Sequence, residues 1–223
     1  LINGLISNGY PSTEILVSDP NEDAKNSLSE QHHIQCMSDN KSAVRIADLI
    51  ILAVKPQILK EVASELSKVI QIQKVVVSIA AGVSISALQN WFGKNIPIVR
   101  SMPNTPTMLG LGATGMYANR HVTAEKCSLV ERIFNTVGYS CWLDSEKDID
   151  SVTAVSGSSP AYFFFIFEIM QRVAEDFGLS PRAAKNLILR TAKGSVEMAL
   201  NSDSEVSELR RQVTSPKGTT EQA

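Results

Sequence analysis

Asp48-Leu49-Ile50-Ile51-Leu52-Ala53-Val54-Lys55-Pro56 decides the fold class. From Leu49 to Val54 every side chain is apolar, with no polar alternation. A strand with one wet face alternates, whereas a strand covered on both faces does not. Lys55-Pro56 closes the run, because proline cannot donate to a ladder and suits the first position of a helix. Gln57 to Ile70 then places Ile58, Leu59, Val62, Leu66, Val69 and Ile70 at helical spacing. The unit is a doubly covered strand feeding a helix, the building block of an open parallel sheet.

The same cycle recurs on either side. Glu14 to Ser18 reads as a strand stopped by Asp19-Pro20-Asn21, and Asn21 caps a helix to about His33. Ile34 to Met37 is a brief strand, and Ser38 or Asp39 caps a helix from Asn40 to Ala47. Downstream, Lys74 to Ile79 is a strand, Ala80-Ala81-Gly82 a turn, and Ser84 the cap of a helix to Phe92. Ile96 to Ser101 is a strand, followed by a Pro/Asn/Thr/Gly-rich loop to Gly112 and a strand from Ala113 to Ala118. Thr123 caps a helix to Thr136, and Tyr139 to Leu143 is the last strand. Strands alternating with helices predict right-handed βαβ units and a mostly parallel sheet.

After Asp144 no strand pattern remains. Asp148–Val155, Pro160–Phe177, Pro181–Leu200 and Glu205–Val213 read as helices. The expected architecture is an α/β Rossmann-type domain over 1–145, then an all-α domain over 146–223. Leu1 to Leu5 reads as a helix entered part-way, and Thr219 onward as one just begun. The chain therefore reads as part of a longer one.

Composition narrows the function. The 223 residues are 43% hydrophobic and 20% charged, with a formal net charge of −2. That is a globular balance with no basic field for nucleic acid. The Tyr162–Phe167 run is too short to span a bilayer, so no membrane partner is expected. Cys36, Cys127 and Cys141 have no paired spacing, and no signal peptide is read, so a cytoplasmic location is expected. His32, His33 and Cys36 lack a nearby fourth ligand, and no metal is expected.

Open α/β sheets bind ligands outside the carboxyl ends of their strands. Ala53–Pro56, Ile79–Gly82 and Arg100–Pro106 occupy such ends, each as a ligand-lining loop or simply a tight turn. Asp19 sits where a carboxylate can accept from ribose hydroxyls, or merely shapes a turn before proline. Its charge opposes a 2′-phosphate, which predicts NADH used at least as well as NADPH, although Lys25 and Lys41 offer an offset. The turn Ser215-Pro216-Lys217-Gly218-Thr219-Thr220 aims backbone N–H groups outward at a helix start, a site for a small carboxylate or an ordinary capped helix. The Phe163–Phe167 run, with Ile166 and Met170, puts apolar side chains on more than one helix face, which predicts a subunit interface.

Four separated motifs carry a family resemblance: Ala53-Val54-Lys55-Pro56, Arg100-Ser101-Met102-Pro103-Asn104-Thr105-Pro106, Ser156-Gly157-Ser158-Ser159-Pro160-Ala161-Tyr162, and Val213-Thr214-Ser215-Pro216-Lys217-Gly218-Thr219-Thr220. In this order and spacing the chain resembles the pyrroline-5-carboxylate reductase family over essentially its whole length. The resemblance implies a Rossmann domain, then a helical dimerisation domain, in a homodimer or higher homo-oligomer. It implies hydride transfer from NADPH or NADH to 1-pyrroline-5-carboxylate, giving L-proline, and places the family's first strand and glycine-rich loop before Leu1. Ser159 and Lys217 stand where the family usually has glycine.

By the same resemblance, Asp19 and Asn40 match contacts to the adenosine end of the cofactor. Ala53, Val54, Lys55 and Pro56 match a cofactor-lining loop, as do Ile79, Ala80 and Ala81, and Gln212 matches a cofactor contact from the helical domain. Ser215, Gly218, Thr219 and Thr220 match the turn that holds the substrate, with Thr220 at the reacting ring nitrogen, and Glu146 matches another position near the substrate. Two rivals remain: a β-hydroxyacid-dehydrogenase-type reductase, for whose catalytic lysine Lys147 is the one nearby candidate, and a non-catalytic dinucleotide-binding dimer, which has no use for a substrate clamp.

Overall fold

The computed structural model describes residues 1–93 and 95–222. In chain order its strands are β1 (Leu16–Val17), β2 (Gln35–Cys36), β3 (Leu49–Leu52), β4 (Val75–Ser78), β5 (Ile98–Met102), β6 (Gly112–Ala118) and β7 (Gly138–Trp142). Its helices are α1 (Ile2–Ser7), α2 (Glu22–His32), α3 (Asn40–Ile46), α4 (Pro56–Leu66), α5 (Ile85–Phe92), α6 (Ala124–Asn135), α7 (Asp148–Val152), α8 (Ser159–Asp176), α9 (Pro181–Leu200), α10 (Val206–Gln212) and α11 (Thr219–Gln222). Two compact units divide between Pro160 and Ala161.

The first unit carries both sheets. The sequence of β3 is uniformly apolar because two cores need it. Ile50 and Leu52 enter one with Leu59, Ala63, Val76, Leu88 and Ile98, while Leu49 and Ile51 pack against the other, built on Val75, Val77, Val99, Val130 and Phe134. Helices α4 and α5 supply the first layer, and α1 and α6 the second. The five-stranded sheet runs β3-β4-β5-β6-β7, and β1 pairs with β2 in a separate parallel pair. β1 is shorter than expected, since Ser12–Glu14 forms a 3-10 turn ahead of it.

The expectation of a mostly parallel sheet holds except at one pairing: β6 runs antiparallel to β5. The linker between them contains only a 3-10 turn, Thr105–Leu109. A parallel return needs a crossover of about a dozen residues or more, usually a helix. β7 follows α6 and again lies parallel to β6.

Among the described residues no strand follows Trp142, as expected. The helix expected over Asp148–Val155 is α7 followed by a π-helical turn, Thr153–Gly157. Both remain with the first unit, anchored by the fully buried Ile149 and by bonds to β5 and its loop. In the second unit, Gly178 in a left-handed conformation stops α8, and Ser180, accepting from the Ala183 N–H, starts α9 with Pro181 at its first position.

Candidate functional site

The carboxyl end of the parallel strands is built from paired loops. Leu52 and Ser78 are in register, and the Ile79 N–H donates to the Leu52 carbonyl at 3.3 Å. Ala53–Pro56 and Ile79–Ala81 therefore leave the sheet side by side. Pro56 opens α4 at its first turn. The Ser78 hydroxyl accepts the Ala80 N–H at 3.3 Å, and the Ser101 hydroxyl donates to the Ser78 carbonyl at 3.3 Å, so the β4 turn is braced from below. Gly82 has φ +73 with open space around it, a backbone state that a side chain would strain. Ala53, Lys55, Pro56 and Ala81 are exposed, and Ala80 is buried. The result is an open crest walled by backbone and small side chains, which suits a flat dinucleotide.

Asp19 follows β1 and Asn40 opens α3 after β2, so the β1–β2 pairing brings their loops out at one end. Asp19 is exposed, and its Oδ1 accepts the Asn21 N–H at 2.8 Å. It is thus a turn-shaping residue, and its charge stays at the surface. Neither nearby lysine is poised to offset that charge. Lys25 is buried against Glu22 at 2.7 Å, and Lys41 pairs with Glu65 at 3.0 Å. Asp39 caps α3 ahead of Asn40, and the Ser42 N–H, then the Ser42 hydroxyl, hold its carboxyl below the usual carboxylate range.

The β5 loop, read as a ligand-lining loop or a tight turn, braces the frame. Asn104 Nδ2 donates to the Ser156 hydroxyl at 3.2 Å and to its carbonyl at 3.4 Å, while Oδ1 accepts the Ala113 N–H at 2.9 Å. One carboxamide thereby ties β5, β6 and the π-helical turn together. Arg100 is 5% exposed, with Nη1 3.3 Å from Glu146 Oε1 and Nη2 3.1 Å from Asp150 Oδ1. The same Glu146 oxygen accepts the Ile85 N–H at the start of α5, at 2.7 Å. Glu146 also faces an open cleft of about 710 Å³ beside α5. Arg100, Asn104 and Ser156 lay within the quoted motifs without an assigned role. The one signal available was Arg100 itself, a charge inside a fully buried strand, which requires a buried partner.

In the second unit, Gln212 ends α10 and the turn 213–218 leads into α11. The Thr214 hydroxyl donates back to the Arg210 carbonyl at 2.7 Å, and the Gly218 N–H closes the turn on the Ser215 carbonyl at 2.9 Å. A Cβ at Gly218 would stand 2.9 Å from that carbonyl oxygen, which explains the glycine. Lys217 has φ +60, and its N–H donates to the Glu221 carboxylate. Thr219 and Thr220 open α11 and are exposed. The sequence-predicted residues thus fall into two groups: Asp19, Asn40, Ala53–Pro56, Ile79–Ala81 and Glu146 in the first unit, and Gln212 with Ser215–Thr220 in the second.

Two family models match the chain, and the C-terminal one begins within the first compact unit. A family model described as pyrroline-5-carboxylate reductase dimerisation matches residues 146–223. One described as NADP oxidoreductase, coenzyme F420-dependent, matches residues 1–82. The chain is 45% identical to the pyrroline-5-carboxylate reductase of Pseudomonas aeruginosa over 223 residues, covering all of this chain and 82% of that one. It is 38% identical to that of Vibrio alginolyticus over 224 residues, covering 100% and 82%. Among solved structures, a pyrroline-5-carboxylate reductase from Coxiella burnetii superimposes with a TM-score of 0.91 at 40% identity, covering 98% and 82%. The Plasmodium falciparum pyrroline carboxylate reductase with NADP bound gives 0.88 at 32%, covering 98% and 80%. A prephenate dehydrogenase from Aquifex aeolicus, at 16% identity and 0.57, shares the fold alone.

Proposed function

The chain belongs to the pyrroline-5-carboxylate reductase family, and on that premise we propose how its own residues divide the reaction. The enzyme is an NAD(P)H-dependent oxidoreductase that reduces the imine of 1-pyrroline-5-carboxylate to L-proline, completing proline biosynthesis. It works as a homo-oligomer, in keeping with its dimerisation region. Three free thiols support a cytoplasmic location. The division of labour is 1–145 for the cofactor and 146–223 for assembly and substrate.

The crest of the first unit fits a dinucleotide, because Ala53, Ala81 and Gly82 leave its backbone accessible. Asp19 and Asn40 hold the adenosine end, Ala53–Pro56 and Ile79–Ala81 line the remainder, and Gln212 contacts the cofactor from the helical region. Reduced nicotinamide supplies the hydride, and the protein supplies placement and charge.

The substrate falls to the turn Ser215–Thr220, and Glu146 is a second substrate-side residue. The observation that carries this reading is the Lys217 N–H, which already holds a carboxylate, that of Glu221. The Gly218 N–H is committed to closing the turn. The clamp therefore uses the Thr219 and Thr220 N–H groups, which lie in the first turn of α11, where a helix lacks internal acceptors, and the Lys217 N–H once the substrate carboxylate takes the place of Glu221. The Thr220 hydroxyl accepts the N–H of the protonated imine, so a dedicated general acid is unnecessary.

Steady-state kinetics of Thr220→Ala test this. A lost hydrogen bond to a charged group is worth about 1.5–3 kcal/mol, or roughly a tenfold to hundredfold loss in kcat/KM for the imine. Cofactor affinity should hold, and Thr219→Ala, where the backbone does the work, should cost far less. Wild-type efficiency in Thr220→Ala would remove its hydroxyl from the mechanism.

A further inference from the structure

Arg100 is a costly residue to place where it stands. Its guanidinium is buried on the face of β5, level with Ser78 at the end of β4. Two of its nitrogens meet carboxylates, and Nε is buried without a hydrogen-bond partner among the described residues. An apolar cluster in place of such a cation and its carboxylates commonly serves stability as well or better, so stability alone does not account for the trio. What an apolar residue cannot do is hold Glu146. One Glu146 oxygen joins three pieces of backbone: β5 through Arg100, the first N–H of α5 through Ile85, and the segment leading into α7. Ile85 lies three residues beyond Gly82, at the far end of the turn that leaves β4.

We propose that Arg100 is a positioning residue of this reductase, acting through Glu146 to fix the turn Ile79–Gly82 against the cofactor. The guanidinium orients the carboxylate, the carboxylate tethers the N-terminus of α5, and the tether sets where the preceding turn stands. Asp150 holds the second fork of the guanidinium and keeps it from rotating away. The inference rests on Ile79–Ala81 lining the cofactor.

The test is NADPH binding to the full chain without imine, followed by fluorescence, together with thermal melting. Arg100→Met keeps the volume and removes the fork. It should melt below the wild-type temperature, because Glu146 loses its cation, and, measured where it is still folded, bind NADPH about tenfold more weakly, the size of effect expected between groups in one network. Arg100→Lys, which keeps the charge, should lie between. Arg100→Met combined with Glu146→Ala should be no weaker than the worse single variant, because the two act as one unit. Wild-type affinity in a folded Arg100→Met, or losses that multiply in the double variant, would overturn the proposal. If Arg100→Met does not fold, Glu146→Ala carries the test alone, and wild-type affinity there overturns it equally. Ala81→Asp separates the two levels. Unchanged NADPH binding in that variant sinks the cofactor-lining role of the turn, whereas weakened binding there with normal binding in Arg100→Met sinks only the role of Arg100.

Discussion

Lys217 sits in the left-handed region at φ +60, where a side chain costs about 1–2 kcal/mol relative to the ordinary helical region. The turn proposed for the substrate keeps that strain although glycine would relieve it. A role for the ammonium in the proposed carboxylate clamp would give a reason. Lys217→Gly should therefore separate two effects. Stability should rise, by up to about 1 kcal/mol once glycine's larger unfolded-state entropy is counted. The KM for the imine should rise as well, by up to about fivefold, the worth of one exposed charge. Chemical denaturation and steady-state kinetics read the two separately, and an unchanged KM would leave the lysine with no role in the clamp. Ser159, the other departure from glycine, is accommodated without strain, since its hydroxyl donates to the Val155 carbonyl at 2.6 Å. Asp19 allows a sharper test of cofactor choice. With Lys25 and Lys41 both committed to glutamates, nothing among those residues offsets its charge. Asp19→Ser should raise the ratio of kcat/KM for NADPH over NADH by about tenfold, as expected for one unscreened charge beside a phosphate. A ratio that stays put would show that this carboxylate does not set the preference.

At the level of elements, the cap of α3 gives a pH prediction. The Asp39 carboxyl is held below its ordinary value by hydrogen bonds that exist only in the folded chain. A depressed folded value contributes stability above the unfolded carboxylate value, near pH 4, and that stability is lost as pH falls through the folded value. The melting-temperature gap between wild type and Asp39→Ala should therefore be full at pH 6 and close progressively below about pH 4. A gap independent of pH would show that the charged form has no advantage as a cap. Caps of this kind were legible in the sequence because they are local. Asn21, Ser84 and Thr123 each accept an N–H three residues on, as their spacing predicted, and Asp39, one of the two candidates at its helix, does the same. The doubly covered β3 was legible for a similar reason, since burial on two faces leaves no room for polar alternation. Bonds between distant segments were not legible. Glu146 meets Ile85 across 61 positions and Asn104 meets Ser156 across 52, and no local pattern encodes either meeting. The family motifs marked Asn104 and Ser156 as special without disclosing that they brace the frame.

At the scale of the whole molecule, the second unit has too little interior of its own. Its buried apolar side chains among the described residues are Ala184 and Ile188. Meanwhile Phe163, Phe165, Ile166, Ile169, Met170 and Val173 on α8 are all exposed in the single chain. Tyr162, Ile166, Ile169 and Val173 recur at helical spacing and form one continuous stripe. By length and composition alone the helical run 148–176 would also pass for a membrane span. The dimerisation family model spans this helix, which favours a second copy of the chain over a bilayer. Water contact along such a stripe is costly, at roughly 25 cal/mol for each Å² left uncovered, so a second copy of the chain gains by covering it. Ile166→Glu places a charge at the centre of the stripe. Burying it unpaired costs on the order of 3–5 kcal/mol, which shifts the dissociation constant by roughly two to four orders of magnitude. Light scattering at micromolar concentration should then show a smaller assembly than wild type, and activity should fall with it. Ile72→Glu, an equally exposed isoleucine in the first unit, should change neither. If the mass of the Ile166→Glu protein matches wild type, the stripe is not the subunit contact. Flotation with lipid vesicles would then decide whether it meets a bilayer.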